Sequence, residues 1–143
     1  MNQKIIKISY HADIDPVLPL KQGDWIDLRA AETVHMKAGE HRLISLGISM
    51  QLPEGYEALL LPRSSTLNQF GIIAGNSMGV IDESYCGNDD IWKFSAYAIR
   101  DTVINKNARI CQFRIIEHQP PLVFEEVPVL SKSNRGGFGS TGV

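Results

Sequence analysis

Leu43-Ile44-Ser45-Leu46-Gly47-Ile48-Ser49-Met50 sets the period of this chain. Leu43, Ser45, Gly47 and Ser49 alternate with Ile44, Leu46, Ile48 and Met50. A period of two belongs to a strand with one apolar face. Ile6, Ile8 and Tyr10 alternate in the same way with Lys7 and Ser9. Ile91 to Ile99 is rich in aromatic and apolar residues, and Arg109 to Ile116 has a similar mix. Ala38-Gly39-Glu40, Pro53-Glu54-Gly55 and Asn105-Lys106-Asn107 punctuate these runs as turns. No segment keeps a 3.6-residue apolar stripe for three turns. Only Ser64 to Phe70 is expected to form a short helix, with Ser64 or Ser65 as its cap. Many short strands without helices predict an all-β sandwich, jelly roll or barrel.

Composition narrows the function. The chain has 143 residues, 43% hydrophobic and 21% charged, as expected of one globular domain with a real core. Lys plus Arg is 14 and Asp plus Glu is 16, so the net charge is −2. No overall field draws the chain to nucleic acid or to an anionic membrane, and a bound anion must be held by local donors. No stretch approaches the roughly 20 apolar residues of a membrane helix, and the N-terminus lacks the unbroken apolar core of a signal peptide. A cytoplasmic protein is expected. Cys86 and Cys111 lack the spacing of a zinc site, and both read as small buried hydrophobes.

Four segments carry candidate chemistry. Arg135-Gly136-Gly137-Phe138-Gly139-Ser140-Thr141-Gly142 has glycines that expose backbone N–H groups, hydroxyl donors, a permanent cation and an aromatic ring. From Ser131 onward nothing can build a core, so residues 1–130 are read as the domain and 131–143 as a flexible arm. Pro62-Arg63-Ser64-Ser65-Thr66 ends an apolar strand with a cation and hydroxyls, an anion site or a plain strand-to-helix turn. Gly79-Val80-Ile81 reads as a short buried strand ended by Asp82, with Tyr85 three residues on: an acid or base at the rim of a pocket, or an ordinary Asp starting a turn with Tyr85 half buried. Arg109 and Gln112 are three apart, so in a regular strand they face opposite sides.

In order and content these segments resemble the trimeric dUTPases. Five motifs define that family. Here they are Gly23 to Ala30, Pro62 to Ser65, Asn76 to Gly87, Ala108 to Gln112 and Arg135 to Gly142. The resemblance implies a jelly-roll fold, a homotrimer, and hydrolysis of dUTP to dUMP and pyrophosphate. It implies active sites at subunit interfaces, each closed by the C-terminal arm of another chain.

Carried over residue by residue, the resemblance makes Asp82 the catalytic carboxylate that orients or deprotonates the attacking water. Tyr85 would pack under the deoxyribose and exclude a 2′-hydroxyl. Asn76 would help read the uracil, with Gly79 and Ile81 also at the substrate and backbone groups of a hairpin reading the base. Arg63, Ser64 and Ser65 would hold the triphosphate, and Gln112 would bond a phosphate oxygen. Arg135, Ser140 and Thr141 would grip the γ-phosphate, with Gly139 beside them. Phe138 would lie over the uracil, with Trp92 and Phe94 as rival lids or, alternatively, core residues. Asp27 would act from behind, on Arg63 or on metal-bound water. Mg²⁺ would arrive on the substrate phosphates and keep mostly water in its other positions.

The chain also departs from the family pattern. Asp24-Trp25-Ile26 replaces the usual start of motif one, Cys86-Gly87-Asn88 replaces Arg-Gly-Glu, and only two residues separate Arg135 from Phe138. The short fifth motif resembles a bacterial and phage branch, some of whose members also bind regulatory proteins. A dCTP deaminase of the same fold would need a deaminating Glu/Arg pair, whereas Asp82-Glu83-Ser84-Tyr85 follows the hydrolase pattern.

Overall fold

A computed structural model describes residues 2–19, 21–139 and 142. The strands are β1 (Lys7–Tyr10), β2 (Ile26–Arg29), β3 (Val34–Met36), β4 (His41–Ser45), β5 (Ile48–Gln51), β6 (Tyr56–Pro62), β7 (Ile72–Ala74), β8 (Gly79–Ile81), β9 (Lys93–Ala98), β10 (Thr102–Ile104) and β11 (Arg109–Glu117). Among the described residues one short helix, α1 (Thr66–Phe70), lies between β6 and β7. Every strand pairing is antiparallel, in sheets ordered β1-β5, β10-β3, β2-β11-β6-β8 and β4-β9-β7. Small sheets wrapped around one core make a jelly-roll body. Among the described residues no helix is long and apolar enough to cross a membrane.

The deciding run is two strands rather than one. It breaks at Gly47, where β4 leaves one sheet and β5 joins another. Gly47 has φ +67, and a Cβ there would lie 3.0 Å from the Cβ of Ala12 and 3.1 Å from that of Ala31. Both the left-handed corner and the close approach require glycine. The inward set still survives the corner, since Ile44, Leu46, Ile48 and Met50 are all buried.

In β9 the buried set is Phe94, Ala96 and Ala98, and Trp92 precedes it. Trp92 packs edge-on against Phe113 of β11, with ring centroids 5.3 Å apart. Trp92 and Phe94 are 0% and 2% exposed, which removes both as lids over a base: their rings are core. Cys111 is buried as expected, and burial pushes its thiol well above the usual range, so it stays neutral. Cys86 is exposed instead, because its loop follows β8 on the surface. The strand Gly79–Ile81 is also less buried than expected. Among the described residues it is an edge strand paired only with β6, and Val80 is 53% exposed.

The last strand ends at Glu117, and every residue from 118 to 139 is exposed and outside any strand. Leu122, Val123, Phe124, Val129 and Leu130 count as core material in a composition reading, yet all are more than half exposed. Trp92→Ala should cost about 3–5 kcal/mol, the usual worth of a buried large aromatic. Thermal unfolding should show a sharp drop in Tm. An unchanged Tm with weakened nucleotide binding would return Trp92 to the pocket.

Candidate active site

The functional side chains gather in two places. The first lies where β2, β11 and the end of β6 meet. Gln112 of β11 is opposite Asp27 of β2 and Leu61 of β6. Asp27 Oδ1 accepts from Arg63 Nε at 2.9 Å, and its Oδ2 lies 3.4 Å from Arg109 Nη1. Arg63 Nη1 also donates to the Arg109 carbonyl at 3.1 Å. Two permanent cations therefore share one partly buried carboxylate, which leaves a net positive charge facing solvent. Gln112 Nε2 donates to the Pro62 carbonyl at 3.0 Å, which fixes its amide beside Arg63.

Local sequence explains the turn after β6. Ser65 occupies the N-cap position of α1, but neither its hydroxyl nor another side chain caps the helix. Thr66 holds the turn instead. Its Oγ1 accepts from the Arg63 N–H at 2.8 Å and donates to the Ile110 carbonyl at 2.9 Å. The Arg63 backbone is thereby tied to β11 through a fully buried hydroxyl. Ser64 stays exposed beside it.

A second cluster lies beyond β8. A pocket of about 330 Å³ is lined by Val80, Ile81, Asp82, Ser84 and Tyr85. Asp82 Oδ2 accepts from both the hydroxyl and the backbone N–H of Ser84. The Ser84 hydroxyl, and after it the Ser84 N–H, hold the Asp82 carboxyl below the usual carboxylate range. The Tyr85 hydroxyl donates to the Ile91 carbonyl at 3.0 Å, so the half-exposed ring has a fixed seat. Gly79 is opposite Leu60, and a Cβ on it would lie 3.0 Å from the Leu60 Cβ, so packing alone calls for glycine there. Asn76 is exposed in the turn before β8. That turn is not a paired hairpin: β7 bonds to β9 and β8 to β6.

The two clusters are far apart within one chain. Ile81 is opposite Ala58, so Asp82 is level with Glu57. Arg63 lies six residues further along, about 20 Å at strand rise. Among the described residues of the tail, none joins either cluster. Arg135 bonds only to the neighbouring Gly136 carbonyl among the described residues, and Phe138 is fully exposed. Gly139 has φ +84 in open space. Ser140 and Thr141 lie outside the described residues.

Comparison with known proteins fits this arrangement. The dUTPase family model matches residues 23–142. The chain belongs to the dUTPase family. It is 56% identical over 138 residues to the SPbeta prophage-derived deoxyuridine 5'-triphosphate nucleotidohydrolase of Bacillus subtilis, covering 96% of this chain and 97% of the relative. The corresponding enzyme of Clostridium acetobutylicum is 39% identical, covering 100% and 98%. Among solved structures, a mutant of the Staphylococcus bacteriophage 80alpha dUTPase has a TM-score of 0.78 at 22% identity, covering 97% of this chain and 99% of that one. At that identity the likeness concerns the fold alone.

Within this dUTPase three residues were given no role by sequence reasoning. Arg109 is brought to Asp27 because the register of β11 shifts between Arg109 and Cys111. A bulge changes the parity of the strand, so Arg109 and Gln112 reach the same side rather than opposite ones. Two adjacent buried residues, Ile110 and Cys111, are the trace of it in sequence. Ser84 could have been found, since Asp followed two residues later by Ser is a local turn signature. Glu83, between them, bonds elsewhere. Because Ser84 lowers the Asp82 pKa, Asp82 should remain ionised to lower pH than an ordinary aspartate. Ser84→Ala should move the acidic limb of kcat/KM to higher pH. A limb that stays in place would mean that Ser84 does not set the ionisation of Asp82.

Proposed function

We propose that this dUTPase converts dUTP and water to dUMP and pyrophosphate in sites that no single chain completes, within a homotrimer. The carrying observation is the separation of about 20 Å between Asp82 and Arg63, set by the pairing of β6 with β8. Reacting atoms must approach to roughly 3–3.5 Å. A carboxylate that acts at a phosphorus cannot serve a triphosphate held that far along the same strand. A second copy supplies the missing half.

In this reading Asp82 orients the attacking water. Its depressed pKa makes it a weak base, better suited to holding a water than to removing its proton early. Tyr85, fixed through Ile91, forms the floor under the deoxyribose and leaves no room for a 2′-hydroxyl. Asn76, Gly79 and Ile81 contribute to the base side. Arg63, Ser64, Ser65 and Gln112 hold the phosphates, and Asp27 fixes the angle of the Arg63 guanidinium. The tail of another copy brings Arg135, Phe138, Gly139, Ser140 and Thr141 over the bound nucleotide. With Trp92 and Phe94 in the core, Phe138 is left as the lid.

Mg²⁺ fits as a companion of the substrate. Asp27 is committed to two arginines, and one oxygen of Asp82 to Ser84, so the protein offers the metal little but water-mediated contact. When bound to the phosphates it neutralises part of their charge. The reading places the enzyme in the cytoplasm, which suits two cysteines without a disulfide.

Pyrophosphate release should be fast with dUTP and weak with UTP, dTTP and dCTP. Removing residues 132–143 should abolish most of it while the protein still assembles. Equal rates with dUTP and UTP would contradict the role of Tyr85, and a fully active truncated chain would contradict that of the tail.

A further inference from the structure

Glu83 follows Asp82 but turns away from the pocket. Its Oε1 accepts from the Gly55 backbone N–H at 3.0 Å, and its Oε2 lies 3.6 Å from Nε2 of His118. Gly55 sits in the turn between β5 and β6, where the Tyr56 N–H donates to the Pro53 carbonyl at 3.2 Å. The Gly55 carbonyl accepts in turn from the His118 N–H at 2.9 Å. His118 is the first residue after β11, where the exposed C-terminal segment leaves the body. One side chain thus joins the turn that carries Asp82, the β5–β6 turn and the root of the tail.

The Asp82 turn is tight internally. The Tyr85 N–H donates to the Asp82 carbonyl at 3.0 Å, and Ser84 donates twice to the Asp82 carboxylate. These bonds fix Asp82 relative to Ser84 and Tyr85. β8 ends one residue before Asp82 and is an edge strand of three residues. The Tyr85 hydroxyl bonds to the Ile91 carbonyl, and the Trp92 N–H of the same peptide donates to the Ile48 carbonyl at 2.8 Å, so Tyr85 has its own anchor three residues from Asp82. The bond from Glu83 to Gly55 ties the residue next to Asp82 directly to the β5–β6 turn.

We infer that Glu83 is a positioning residue for the reaction: through Gly55 it sets the position of Asp82 against the body. The inference rests on Asp82 as the carboxylate of the reaction. It distinguishes two functions of the Glu83 side chain, since only the acceptor oxygen toward Gly55 is needed to hold the turn. The negative charge toward His118 is not.

The test measures kcat and KM for dUTP with the assembled, full-length Glu83→Ala, Glu83→Asp and Glu83→Gln enzymes. A displacement on the order of 1 Å costs roughly 10²-fold, so the Ala variant should lose about 10- to 100-fold in kcat while KM stays within about twofold. The Asp variant is too short to reach Gly55 and should lose as much. It keeps the charge beside His118 and carries the test if the Ala variant does not assemble. The Gln variant retains an acceptor oxygen at full length and should keep kcat within about threefold of wild type, the scale of a near-neutral change. Wild-type kcat in the Ala or Asp variant, or a Gln variant as slow as Ala, overturns the inference. Asp82→Asn separates it from the reading beneath. If Asp82→Asn keeps turnover, both fall; if Asp82→Asn is inactive and Glu83→Ala fully active, the inference alone falls.

Discussion

The pairing of β6 with β8 on one edge and β11 on the other governs how this molecule can work. Leu60 faces Gly79 and Ala58 faces Ile81, so Asp82 emerges near the beginning of β6. Cys111 faces Pro62 and Gln112 faces Leu61, so the arginines gather at its end. An antiparallel ladder cannot slip by one residue without turning its apolar face outward, and Ala58 and Leu60 are both buried. The separation of the two half-sites is therefore as firmly held as the core itself. In the proposed function assembly is part of catalysis, because another chain would bring Asp82 to the phosphates held at Arg63.

The phosphate half-site is arranged electrostatically before any substrate arrives. Asp27 is 15% exposed at its side chain and is bonded by Arg63, with Arg109 beside it. Removing that carboxylate would leave two guanidinium groups facing each other with no shared anion. Held as they are, they retain free N–H donors and one uncompensated positive charge. An anion of high charge completes the cluster, and such preorganised donors cost little rearrangement when the reaction begins. The Asp82 half-site uses the opposite device. There Ser84 stabilises a carboxylate already in its charged state, so the group is ready for water at any ordinary pH.

Much of this was legible in the sequence, for reasons that differ by residue. Ile44, Leu46, Ile48 and Met50 could be assigned inward from the alternating run, although past Gly47 the strand is buried on both faces, Ser49 included. The bend itself was not legible, since a glycine in an alternating run gives no sign of whether it turns a corner. The link between Asp27 and Arg63 followed from motif resemblance alone, because no local rule connects residues so distant in sequence. Arg109 was set on the wrong side of its strand because a bulge changes strand parity without changing composition. Trp92 and Cys86 show a further limit. Residue type indicates a preference for burial, but the neighbouring strands decide which aromatic packs against Phe113 and which thiol is left outside.

The central claim, that two chains build each site, is tested most directly by mixing inactive variants. Asp82→Asn and Arg63→Ala chains would each be purified, shown to be inactive alone, then unfolded together and reassembled in equal amounts. In a randomly mixed closed oligomer, about a quarter of the sites should draw an intact Asp82 from one chain and an intact Arg63 from another. Pyrophosphate release from dUTP should return to about that fraction of wild type, as expected for independent sites. If the mixture stays as inactive as its components although mixed oligomers have formed, both groups act from the same chain and the account fails.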